Sequence, residues 1–213
     1  MSLRKGSSLT ARGLALAGVA GLLSITGAVA IGTASADEVT VAGAVSKPIS
    51  FSCEFPLVGV KTVAATVNIT FPDAGKVGEV IQPTDFKVDG KLDAETSDAL
   101  GLIGATTFEA TGAATDVDVK INDTEIGVKL NGLSIPSAPV VPGAETPFVI
   151  NGPIPGITVK APGEVSFAVG KKFTATEVTP KDAQGNPTDL GTFPLDCTAA
   201  DGQDTALATI PVS

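Results

Sequence analysis

The chain has 213 residues, a formal net charge of -9, and no His, Trp or Tyr. Without His, a Ser-His-Asp triad, a Cys-His pair and His-based zinc ligation are all excluded. The acidic balance repels nucleic acid, so no nucleic-acid partner is expected.

The first residues read as an export leader. Arg4, Lys5 and Arg12 supply positive charge, and no acidic residue precedes Asp37. Gly13 to Gly32 is apolar or small, and Thr33-Ala34-Ser35-Ala36 follows with small residues at 34 and 36. That order fits a signal peptide over residues 1–36, cleaved between Ala36 and Asp37. A retained membrane helix over Gly13–Gly32 is the competing reading, because about 20 residues can cross a bilayer. Its richness in Gly and Ala and the adjoining cleavage pattern favour removal. The mature chain is then expected to be secreted, extracellular or loosely wall-associated, with no transmembrane anchor of its own.

Cleavage removes three positive charges and both Arg residues, and leaves residues 37–213 more acidic still. That length can bury a core without metals or dense disulfides. The core must come from Val, Ile, Leu, Ala and the nine Phe. Cys53 and Cys197 are the only cysteines. In an exported chain two thiols most often form one disulfide. Closing so long a loop is worth roughly 5 kcal/mol by chain entropy, and it requires the two segments to lie side by side. Free thiols and an intermolecular link are the alternatives.

Residues 39–71 alternate with period two: Val39 and Val41, then Ile49, Phe51, Cys53 and Phe55, then Val63 to Phe71 after a Pro56–Gly59 break. Such alternation predicts half-buried strands. Val77–Ile81 and Phe86–Leu92 are short strand candidates. Residues 93–103 predict a short helix or crossover, with Asp93 or Ser97 as cap and Gly101 and Gly104 limiting it. Thr107–Ala113 is a weak strand. Residues 117–130 predict a β-hairpin turning at Asn122-Asp123, and Asn131-Gly132 predicts another turn.

Residues 134–147 carry four prolines, which excludes a central strand and predicts a linker or crossover. This divides the mature chain into a first β region, 37–133, and a second, 148–213, which belongs either to its own domain or to the same sandwich. The second region holds strands near 148–150, 157–160, 165–169, 173–178, 192–197 and 206–212. The expected fold is all-β: one or two antiparallel β-sandwiches, immunoglobulin-like in general architecture, without the Trp that true immunoglobulin domains bury.

Few chemistries remain open. No catalytic, cofactor-binding or metal residue is assigned, and no cofactor is expected. Asp116 with Asp118, or Asp123 with Glu125, could pair as in glycosidases, but a solvated strand face explains them more simply. Asp182, Asn186 and Asp189 could offer calcium oxygens from one loop, although the spacing lacks the EF-hand pattern and a turn held by its own hydrogen bonds accounts for them. Asn68-Ile69-Thr70 and Asn122-Asp123-Thr124 match the glycosylation sequon.

Phe51-Ser52-Cys53-Glu54-Phe55-Pro56-Leu57-Val58-Gly59 near the start, Pro162-Gly163-Glu164-Val165, and Leu195-Asp196-Cys197-Thr198 near the end resemble the secreted actinomycete domains of unknown function numbered 6801. The resemblance covers residues 46–212. It implies an exported, β-sandwich-like protein from a high-GC Gram-positive bacterium. It implies no activity and carries no catalytic residue.

The leading functional expectation is a non-enzymatic extracellular or envelope-associated structural or binding module, with an envelope protein or glycan as partner. The alternatives are a small-molecule or lipid carrier, which needs an apolar cavity, and a carboxylate-dependent hydrolase of wall polysaccharide, which needs two carboxyl groups converging in a cleft.

Overall fold

A computed structural model describes residues 43–213. The leader and the Ala36–Asp37 cleavage position lie outside the described residues. Eleven strands and one helix follow in chain order: β1 (Ala44–Phe55), β2 (Gly59–Thr70), β3 (Val80–Ile81), β4 (Thr84–Leu92), α1 (Ala94–Leu102), β5 (Thr107–Ile121), β6 (Thr124–Pro139), β7 (Thr146–Ile150), β8 (Ile157–Thr158), β9 (Gly163–Lys181), β10 (Phe193–Ala199) and β11 (Ala206–Val212).

The fold is all-β and its main-sheet pairings are antiparallel. Instead of two stacked sheets, the strands make one sheet that curls into a nearly closed barrel. Its order is β6-β5-β9-β10-β1-β2-β4-β7, with β11 added alongside β9 and a separate β3–β8 pair. The ring closes where β7 returns to β6: Ser134 and Asn151 exchange backbone hydrogen bonds of 2.8 and 2.9 Å. Beyond that bridge the two strands cannot ladder, because Pro136, Pro139 and Pro147 have no N–H to donate.

Two long strands make a single sheet possible. β9 runs for 19 residues and pairs with β5 on one side. On its other side it meets β11 through Gly163–Ala168 and β10 through Lys172–Val178. The change of partner falls at a bulge. Thr115 faces Phe173 but Val117 faces Val169, so β9 carries extra residues opposite Asp116. Gly170 sits there, and a Cβ on it would lie 2.6 Å from Asp116 backbone atoms. The two predicted segments 165–169 and 173–178 are therefore one strand.

Thr107–Ala113 and Val117–Ile121 likewise belong to one strand, β5. A register shift near Gly112 puts Ala113 and Ala114 in the core side by side and breaks the alternation. The Asn131-Gly132 turn is not made. Gly132, at φ 76°, is an extra residue in β6 between Asn131 and Leu133, a bulge that uses the left-handed backbone only glycine adopts freely. The 117–130 hairpin is present, turning on Asn122-Asp123. The predicted linker begins as strand: residues 134–139 complete β6 and pair with β5, and Pro136 and Pro139 are tolerated because their other side faces the closing seam.

The helix forms where its caps predict. Asp93 Oδ1 accepts a 2.7 Å hydrogen bond from the Thr96 N–H. At the other end Gly104, at φ 78°, donates to the Gly101 carbonyl and Ala105 donates to the Leu100 carbonyl, a Schellman ending. The helix buries Thr96, Ser97 and Leu100. Hydrogen bonding from Thr96 holds the Asp93 carboxyl below its usual range. A carboxyl with a depressed folded pKa stabilises above its unfolded value of 3.8 and loses that contribution as pH falls below it. Asp93→Ala is expected to cost about 1 kcal/mol at neutral pH in urea unfolding. Asp93→Asn keeps the cap and should remove its share of the acid-side loss of stability.

Candidate functional site

Alternation along the barrel strands turns one face of each inward, and the phenylalanines all take that face. All nine Phe of the chain line a single interior cavity. They come from β1, β4, β5, β7, β9 and β10 and from Phe71 just after β2. Three ring pairs are within stacking range: Phe71–Phe167 at 5.0 Å, Phe108–Phe148 at 5.9 Å and Phe51–Phe173 at 6.4 Å between centroids.

The cavity has a volume of about 140 Å³. Its walls are aliphatic and aromatic, with Thr115 and Asp116 the polar residues among the lining. The space has a local cause. Ile49, Ala65, Gly90 and Phe148 form one cross-strand row over β1, β2, β4 and β7. Ala65 and Gly90 are too small to reach the barrel centre. Phe148 lies across Gly90, where a Cβ would come within 2.3 Å of its ring. The row therefore leaves a low wall beside Ala65.

The Cys53–Cys197 disulfide is part of the same wall. Both residues face inward and are direct cross-strand partners in β1 and β10, with Cα atoms 4.1 Å apart. That spacing is the close, non-hydrogen-bonded type of antiparallel pair, tighter than the 5–6 Å commonest for disulfides.

Charge stays at the margins. Lys61 bridges to Glu95 of α1 at 2.6 Å. Lys47 pairs with Asp204, and that bond, with the Ala206 N–H, holds the Asp204 carboxyl below its usual range. Both lysines share the inward parity of their strands and reach out to a carboxylate instead of occupying the interior.

The other sequence candidates lie apart from this cavity or contribute little to it. Asp116 stands opposite Lys129, and Asp118 opposite Gly127. Asp123 is in the hairpin turn, and Glu125 faces Lys120. In the 182–189 loop, Asp182 Oδ1 accepts from the Gln184 and Asn186 N–H groups at 2.9 and 2.8 Å, so the loop is closed by its own hydrogen bonds. Among the described residues, no group of three or more His, Cys, Asp or Glu is placed to hold a metal ion. The Asn68 side-chain amide donates to Asp89, and the Asn122 side-chain Oδ1 accepts from the Glu164 N–H.

A family model described as a family of unknown function, DUF6801, matches residues 50–208. The chain belongs to this family. The DUF6801 match runs from β1 into β11, so it takes in the disulfide and all nine phenylalanines. No curated protein and no solved structure matches the chain. Among the described residues, no helix is long and apolar enough to cross a membrane.

Sequence reasoning named the two cysteines but not the cavity. The signal was the inward parity of every Phe, which was legible only strand by strand. The small residues opposite one another at Ala65 and Gly90 depend on register, which the sequence does not display.

Proposed function

We propose that this DUF6801 member is a secreted, non-enzymatic binding protein whose barrel interior takes a small apolar molecule. The observation that carries this reading is the convergence of all nine phenylalanines on one cavity of about 140 Å³. A dry apolar cavity of about 150 Å³ holds a benzene ring or a xenon atom, so the ligand, or the part of it that enters, is a single ring or a short branched hydrocarbon. The leader residues Arg4 to Ala36 support export.

Ala65→Leu tests the reading through the sign of its effect. If the space beside Ala65 is a binding cavity, the added side chain fills it: stability holds or rises, and the upward shift of the melting temperature by benzene is lost. Wild-type protein should melt a few degrees higher in saturating benzene. Destabilisation of about 1–3 kcal/mol by Ala65→Leu, together with no benzene shift in wild type, is the overpacking result and would contradict the reading.

A further inference from the structure

A closed barrel leaves no strand edge, but this one is closed only in part. β6 joins β7 at Ser134, and its first half, Thr124–Leu133, extends past that seam with β5 on one side. Among the described residues, two other strand edges are covered. The end of β11 meets Gly75 and Val77 through backbone hydrogen bonds, and β1 carries Pro48 while the Gln203 side chain bonds both backbone groups of Ser50. Over Thr124–Leu133 of β6 no proline intervenes.

The direction of the free groups follows from the hairpin. Ile121 and Thr124 flank a two-residue turn and bond to each other, so alternate residues from there, Ile126 and Val128, also face β5. Glu125, Gly127, Lys129 and Asn131 then point their backbone groups away from the sheet. The Lys129 carbonyl accepts a 3.3 Å bond from its neighbour Asn131, which leaves its second lone pair.

We infer that two copies of this chain associate by antiparallel pairing of these β6 edges, across a two-fold axis at Gly127. Charge complementarity selects the register. An axis at Glu125 or Lys129 sets like charges opposite each other. An axis at Gly127 sets Glu125 against Lys129 of the second copy, twice. Within the hairpin Lys120 is opposite Glu125 and Asp116 is opposite Lys129. The paired ribbons would therefore carry rows of alternating sign, Lys120–Glu125–Lys129–Asp116, across both copies. The other face would carry apolar rows, Val119–Ile126–Val128–Val117. Ile126, 42% exposed in the single chain, would be covered. Opposite-charge and β-branched cross-strand pairs are the units that stabilise a sheet. The interface is small, so association is weak and concentration-dependent.

Sedimentation velocity on the purified protein, from about 10 μM to about 1 mM, should show the sedimentation coefficient rising with concentration. Glu125→Lys and Lys129→Glu should each weaken association by about tenfold or more, since each replaces two attractive pairs with two repulsive ones. An equimolar mixture of the two variants should associate again, because the introduced lysine then faces the introduced glutamate while the native pair is kept. Circular dichroism of each variant checks that the barrel is intact. Wild type that stays monomeric throughout, variants that associate as wild type does, or a mixture that fails to recover overturns the inference.

Discussion

Replacing both cysteines, Cys53→Ala with Cys197→Ala, is expected to lower the thermal midpoint by about 10–20 °C. The size comes from the loop the bond closes. The residues are 144 apart in sequence, and chain entropy for such a loop is about 5 kcal/mol. For a chain of this length each kcal/mol shifts the midpoint by about 2–4 °C. The bond also sits where the two halves of the barrel meet. The barrel has two halves, β1-β2-β4-β7 and β6-β5-β9-β10, which meet at two seams. At one, β1 and β10 share the pairs Phe51–Ala199, Ser52–Thr198 and Cys53–Cys197. At the other, β6 and β7 share the single Ser134–Asn151 bridge. By contrast β1 and β2 pair without a break from Ala44–Thr70 to Phe55–Gly59. The disulfide staples a three-pair ladder in a barrel whose other seam is interrupted by prolines. Differential scanning calorimetry of the oxidised protein and the double variant measures the difference. A midpoint within about 3 °C of wild type would mean that the noncovalent seams hold the halves together unaided.

Leu133→Ala is expected to cost about 3–4 kcal/mol in urea unfolding and to recover part of that loss when a small hydrocarbon is added. Leu133 is among the largest fully buried side chains and lines the cavity next to the β6–β7 seam. Its side chain lies over Gly152, where a Cβ would come within 2.5 Å of Leu133 Cδ2. Truncation removes buried methyl groups and enlarges a space that is already unfilled, so the loss contains both a transfer and a cavity term. A ligand that fills the larger space binds the folded state alone and returns stability. Toluene or a larger alkylbenzene should raise the midpoint of the variant more than that of wild type. Equal shifts for both would place the hydrocarbon elsewhere.

The sequence displayed some of this and hid the rest for definite reasons. Strands β1 and β2 and the Asn122-Asp123 hairpin were visible because their alternation is unbroken. The short helix was visible because Asp93 and Gly104 mark its ends. β5 and β9 looked like fragments because the bulges near Gly112 and Gly170 shift the inward face partway along. The Pro-rich segment suggested a linker because a proline forbids a ladder on its donor side; in β6 that side faces the seam and the other side pairs normally. A sandwich and a barrel present the same local pattern. The choice between them rests on which strand sits beside β9 and on the return of β7 to β6, contacts between residues far apart in the chain. The family was legible from the segments around the two cysteines. The cavity was not, since its space arises where Ala65 and Gly90 meet across strands.

Xenon diffraction is the most direct measurement. In a crystal of the oxidised protein under xenon pressure, an anomalous peak should lie inside the barrel, among the phenylalanines and beside Ala65. A barrel interior filled by side chains, with xenon bound only at the surface, would contradict a ligand-binding interior.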